Sequence, residues 1–239
     1  MATTRGTSPR VRRRPTRSGV VLDPDMIIDA ALRLIEAPGG NALTVRRLGV
    51  ELGADPSAIY RYFRNVDALL IAVSDRLLSE TLDEFVPRPY WADSLRALAE
   101  GIYRTMLRHP RLALLGAVRF TAGPNELRAA ETGIGLLIDA GFDGAAAVRH
   151  YRDLIEPVWA LAAIAASEMT PEQERSEERA LARAYATLPE SEYPNLAGVR
   201  DELPALSEPA FPGVLDKLIE ALELSRAAAG GSDPGRTRG

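Results

Sequence analysis

The chain contains no cysteine. Disulfides and thiolate metal sites are thereby excluded, and cysteine usage favours a cytoplasmic protein. Histidine is scarce too, with only His109 and His150. The H-E-x-x-H, G-x-S-x-G, P-loop and G-x-G-x-x-G patterns are all missing. Carboxylates are plentiful but fall mostly on expected helix faces, where solvated charge is the default. No catalytic residue, cofactor or resident metal is therefore expected. Long hydrophobic runs are absent as well, and none approaches the roughly 20 residues of a membrane span. The arginine-rich N-terminal stretch has no apolar segment behind it, which argues against a signal peptide.

What is present is a substantial apolar fraction, 46% of 239 residues, enough to bury a core. The net charge of -4 conceals an asymmetry. Residues 1–64 carry 11 Arg against 6 Asp and Glu, and the remainder carries 18 Lys and Arg against 27 Asp and Glu. A basic front on an acidic body suits a protein that meets a polyanion with one end, although a solvated basic tail has the same composition.

Residues 1–22 hold six Arg and no acid and read as a disordered basic arm. Asp23-Pro24 gives a capped helix start, and Ile27, Ala30, Ala31, Leu34 and Ile35 follow at helical spacing until Pro38-Gly39-Gly40. Thr44 caps a second, short helix to about Leu52, ended by Gly53. Asp55-Pro56 opens a third through Phe63, and Asn65 caps a fourth with Leu69, Leu70, Val73 and Leu77 on one face. Val86-Pro87-Arg88-Pro89 is a stiff break. Further helices are expected over 93–108, from 110, over 124–140, 143–168 and 171–187, around 197–203 and over 212–228. Residues 230–239 read as a disordered tail. The fold class is all-α, with a small helical domain at 23–85 and a larger one at 90–229.

The most informative stretch is LTVRRLGVELGADPSAIYRYFRNVDALL, residues 43–70. Two short helices meet across Gly53-Ala54, and Gly49 lacks a side chain where they must pack closely. In a helix-turn-helix the second of these enters the DNA major groove and reads base edges, while the first helix and neighbouring caps grip phosphates. Arg61 is the candidate for bidentate contact with guanine, with a phosphate contact as the alternative. Ser57 and Ala58 stand where base or thymine-methyl contacts occur. Thr44, Arg46, Tyr60, Tyr62 and Arg64 are candidates for phosphate contact, Tyr60 being as well suited to packing inside the motif.

This segment resembles the TetR family of helix-turn-helix regulators. The resemblance is carried by Thr44, Leu52-Gly53-Ala54, Ile59-Tyr60-Arg61-Tyr62-Phe63 and Leu69-Leu70. It extends more weakly through His109-Pro110, Gly123-Pro124, Ala140-Gly141-Phe142, Tyr193-Pro194-Asn195-Leu196 and Phe211 to Asp216 to the effector domain of tetracycline repressors. It implies a homodimer on double-stranded DNA, joined through its late helices and responsive to a small organic effector. Two positions depart from the family. Val66 stands where many members have a phosphate-contacting Lys, so that contact is lost or supplied by Arg64 or the arm. Arg119 stands where tetracycline repressors have a magnesium-ligating His, and a guanidinium ligates no metal.

Effector contacts are expected from Trp91, Tyr103, Met106, Phe120, Tyr151, Ile155 and Trp159, with Arg119, His150 and Glu156 as polar partners, although aromatics at helical spacing equally serve as core. Dimerisation is expected through the long helix 143–168 and the last helix 212–228, the latter with an apolar stripe of Val214, Leu215, Leu218, Ile219 and Leu222. Two rival functions remain on the sequence alone. One is a helical enzyme with a vestigial motif; the other is an interaction module whose motif binds protein.

Overall fold

Asp23 opens the first helix as expected: its carboxylate accepts from the Met26 backbone N–H at 2.8 Å, and Pro24 occupies the first helical position. The computed structural model describes residues 21–37, 43–116, 121–166 and 171–230. The order is α1 (Pro24–Glu36), α2 (Val45–Glu51), α3 (Pro56–Ile59), α4 (Val66–Glu84), α5 (Trp91–Arg108), α6 (Pro110–Gly116) and α7 (Pro124–Asp139). It continues with α8 (Gly144–Ala165), α9 (Pro171–Ala186), α10 (Pro194–Gly198), a 3-10 turn (Leu203–Ser207) and α11 (Phe211–Gly230). Among the described residues there is no sheet, and no helix is long and apolar enough to cross a membrane.

The side-chain caps read from the sequence are in place. Thr44 Oγ1 accepts from Arg47 N at 3.3 Å, Asp55 from Ser57 N at 2.8 Å and Asn65 from Ala68 N at 2.8 Å. Gly53 adopts φ +58°, the left-handed conformation that a helix end favours in glycine.

Two apolar clusters organise the packing. The first gathers Ile27, Ile28, Ala31 and Ile35 of α1, Leu48 of α2, Ile59 of α3 and Leu69, Val73 and Leu77 of α4. Met106, Leu112, Ala113 and Ala162, from α5, α6 and α8, close it. The second joins Leu78 of α4 to Leu95, Leu98 and Ile102 of α5, Leu137 of α7, Leu154 and Val158 of α8, and Leu215, Ile219 and Leu222 of α11. Each fully buried Leu or Ile contributes about 1.5–3 kcal/mol of transfer free energy, so both clusters are substantial. Helix α4 belongs to both, and it packs on α1, α5, α6 and α7.

Three expectations need correction. The third helix does not run through Phe63. It ends at Ile59, and Tyr62 N–H donates to Ile59 O at 2.9 Å in a tighter turn. Asn65 must be extended to cap α4, which leaves no room for a further helical turn. The helix expected around 197–203 lies earlier, at Pro194–Gly198, because Pro194 sets its first turn. The apolar stripe of α11 is divided: Leu215, Ile219 and Leu222 are buried in the chain's own second cluster, and of the stripe only Val214 and Leu218 are partly exposed. The expected arm and tail fall almost wholly outside the described residues.

Candidate functional site

The two-helix motif is set by a close approach. A Cβ on Gly49 would stand 2.8 Å from the Ala54 carbonyl oxygen and 3.4 Å from Pro56 Cδ. Ala54 N–H in turn donates to Gly49 O at 2.8 Å. Leu48 and Ile59 then turn inward and anchor α2 and α3 on the first cluster. With those side chains committed, the polar set is left on the surface of the motif. Thr44, Arg46, Ser57, Tyr60, Arg61 and Arg64 are exposed, and Ala58 is half-buried. Tyr60 is 53% exposed, so its ring is not held within the motif core. The face thus offers hydroxyls and three guanidinium groups within one compact unit, which suits phosphate and base-edge hydrogen bonding.

Tyr62 differs from its neighbours. It is half-buried against the first cluster, and its hydroxyl donates to Leu22 O at 2.6 Å. Phe63 likewise packs on that cluster.

Two sets of polar contacts among the described residues help tie α1 and α4 to the rest of the chain. In the first, Asp75 of α4 is buried and caps α7. Its carboxylate accepts from Glu126 N at 2.9 Å, Asn125 N at 3.3 Å and Asn125 Nδ2 at 3.0 Å. Gly123 leaves room for it, since a Cβ there would overlap the carboxylate. Glu126 folds back to accept from the Thr121 and Ala122 amides at 2.6 and 2.9 Å, and Ala122 has φ +50°. In the second, the α5–α6 junction grips α1. Arg111 donates to the carbonyls of Ile35 and Ala37 at the end of α1. His109 Nε2 lies 3.6 Å from Glu80 of α4 and its Nδ1 3.9 Å from Glu36 of α1. A buried Thr81–Thr105 hydroxyl pair at 2.8 Å adds a polar contact between α4 and α5.

The expected effector residues separate into groups. Tyr103 and Trp159 pack against both clusters, with Ile155 and Tyr151 against the second. Met106 is fully buried in the first cluster. Tyr103 stacks on Phe211 with ring centroids 3.7 Å apart and planes within 2°. Trp91 and His150 are each edge-on to Phe142, a member of the second cluster, at 5.9 and 4.9 Å. Glu156 is exposed. Arg119 and Phe120 lie outside the described residues. Burial, with a smaller contribution from the Glu126 charge, pushes the Tyr151 phenol well above its usual range, and burial also raises that of Tyr103. Both rings are therefore neutral at physiological pH. Sequence reasoning missed Phe211 and Phe142 as members of this aromatic set, because each stands alone at a helix boundary without a periodic partner. It missed Asp75 because nothing local marks a carboxylate whose partners lie 50 residues away.

Comparison with known proteins agrees with this architecture. Residues 27–73 match the family model of bacterial regulatory proteins of the tetR family. Residues 87–224 match that of the tetracyclin repressor-like C-terminal domain. An HTH-type transcriptional regulator of Saccharopolyspora erythraea is 28% identical over 77% of this chain and 77% of its own length. The class A tetracycline repressor from transposon 1721 of Escherichia coli is 34% identical, over 53% of this chain and 59% of its own. The crystal structure of the TetR family protein ActR from Streptomyces coelicolor, in complex with actinorhodin, superposes with a TM-score of 0.77 at 29% identity. That match covers 85% of this chain and 96% of ActR. A reading head built on α2 and α3, a helical lobe behind it and these matches over both parts lead to one assignment: the chain belongs to the TetR family and is a ligand-responsive, DNA-binding transcriptional regulator.

Proposed function

We propose that the chain is a repressor that binds a palindromic operator as a homodimer and leaves it when a small organic effector binds. In this reading residues 23–85 form the reading head and residues 90–229 the sensing and dimerisation lobe, flanked by the arm at 1–22 and the tail at 230–239. The carrying observation is the exposed face of Ser57, Tyr60, Arg61 and Arg64 on a unit whose next helix, α4, is held by Asp75 to the start of α7. Such a connection lets a change among α5, α7 and α8 reorient the head.

Arg61 reads a base edge; Thr44, Arg46, Tyr60 and Arg64 contact phosphates, and Ser57 and Ala58 line the groove. Dimerisation uses the outward faces of α8 and α11. Ile164 and Leu224 are 68% and 65% exposed, and Val148 lies on the same pair of helices. Apolar side chains on long helices support an isologous four-helix contact. The effector is an apolar or amphipathic organic molecule bound without metal among Tyr103, Ile155, Trp159 and Tyr151, with Met106 beneath and Trp91 and His150 at the Phe142 end. Arg119 and Phe120, which lie outside the described residues, are further proposed contacts. ActR's complex with actinorhodin supports an organic effector. The protein acts in the cytoplasm and has no catalytic role.

Operator selection from random DNA, followed by anisotropy titration, tests the reading. A selected palindrome bound by two subunits per site is the expected result. Titration of candidate effectors in EDTA should release the DNA. Sedimentation as a monomer at micromolar concentration, or release that requires Mg²⁺, would contradict it.

A further inference from the structure

The Tyr62 hydroxyl has one proton, and it is given to the Leu22 carbonyl at 2.6 Å. A phosphate oxygen can only accept. While this bond stands, Tyr62 has nothing to donate to DNA, in contrast to the exposed Tyr60 two residues earlier. The bond spans 40 residues of sequence, and its other end is the root of the segment preceding α1. Leu22 is only 4% exposed, and the adjoining Asp23 is fixed by capping α1. The root is thus pinned from two sides, to the start of α1 and to the turn after α3. Its neighbours along that turn are Arg61 and Arg64, both exposed. Beyond the root, the sequence through Val20 carries Arg5, Arg10, Arg12, Arg13, Arg14 and Arg17 and no acid.

We propose that Tyr62 is a positioning residue for operator binding: it fixes the root of the arginine-rich arm beside the recognition turn and itself touches no phosphate. The inference rests on the DNA-binding reading above. Its physical basis is effective concentration. The sequence holds six arginines within the 17 residues before Leu22, so fixing that root beside Arg61 and Arg64 raises their effective concentration at the DNA the head meets. Each phosphate contact the arm makes releases counterions and adds about 0.9 to the slope of log affinity against log salt.

The test is a salt series on a selected operator with four full-length proteins. They are the natural chain, Tyr62→Phe, a chain with all six arm arginines changed to Gln, and the combination. Phe keeps the ring in the first cluster and removes only the hydroxyl. Tyr62→Leu repeats the comparison with a different packing shape, and a melting curve of each protein confirms folding. Tyr62→Phe should lower the salt slope of the natural chain by about 2, one contact for each subunit of a dimer. In the background with the arm neutralised the same change should have no effect. Equal weakening in both backgrounds would show that Tyr62 contacts DNA itself and would overturn the proposal. So would an unchanged slope in the natural background, or no loss on neutralising the arm. In each of these cases the operator is still bound and the regulator reading stands; a natural chain that selects no DNA would sink both.

Discussion

Replacing Asp75 by Ala removes one of the contacts that join the reading head to the sensing lobe, and its cost can be worked from the geometry. Asp75 is 5% exposed and receives two good hydrogen bonds, from Glu126 N at 2.9 Å and Asn125 Nδ2 at 3.0 Å, with a longer one from Asn125 N at 3.3 Å. Hydrogen bonds to a charged group contribute about 1.5–3 kcal/mol each, and buried donors left without a partner add their own desolvation cost. Against this stand relief from burying a carboxylate and the better helix propensity of Ala on α4. The balance is a loss of roughly 2–4 kcal/mol from the gains and offsets just named. For a chain of this size each kcal/mol lowers the melting temperature by about 2–4 °C, so a drop of roughly 5–15 °C is expected. Urea titration followed by circular dichroism measures the free energy, and a thermal scan measures the midpoint. Asp75→Asn should fall between, since one oxygen becomes an amide that faces backbone N–H groups. A loss below about 0.5 kcal/mol, the level of an ordinary surface change, would mean that the carboxylate does not hold α7, and the coupling argued from it would fail.

Further outcomes follow from other parts of the molecule. Arg61→Ala should relax preference at one base pair per half-site, a loss of about 1–3 kcal/mol of discrimination; an unchanged selected-site profile would remove its base-reading role. Gly49→Ala places a Cβ 2.8 Å from the Ala54 carbonyl, forcing α2 away from the α3 turn at a cost of about 1–3 kcal/mol. Natural stability and operator affinity in that variant would show that the approach is not tight. The raised phenol of Tyr151 predicts alkaline sensitivity. The folded chain keeps that proton above pH 10 while the unfolded chain loses it, so stability is complete below pH 10 and falls as pH rises beyond it. Tyr151→Phe should flatten the decline in urea titrations between pH 9 and 11, and an equal decline in both proteins would refute the assignment.

Legibility in the sequence tracked the range of each interaction. Asp23, Thr44, Asp55 and Asn65 announce their helices because a cap and its amide lie two or three residues apart. Gly53 was readable because its left-handed conformation is a local demand. The end of α3 was not, since Ile59 through Phe63 would extend a helix by propensity; the need to cap α4 at Asn65 decides it. The α11 stripe had the right period but was assigned to the dimer contact, whereas the packed chain turns Leu215, Ile219 and Leu222 into its own core. The Tyr62–Leu22 and Asp75–Asn125 pairings are 40 and 50 residues apart and leave no periodic trace. Likewise, the stacking of Tyr103 on Phe211 could not be inferred from either residue alone.

The double membership of α4 also constrains anyone who would recombine such regulators. A chimera joined at Pro87–Pro89 would set the donor's Asp75 and Leu78 against a foreign α5 and α7. One joined before Val66 would set foreign residues against Leu48 and Ile59 at the positions of Leu69, Val73 and Leu77. Neither junction is neutral. A working hybrid has to be assembled face by face along a single helix, taking Leu69, Val73 and Leu77 with the operator specificity and Asp75 and Leu78 with the inducer response.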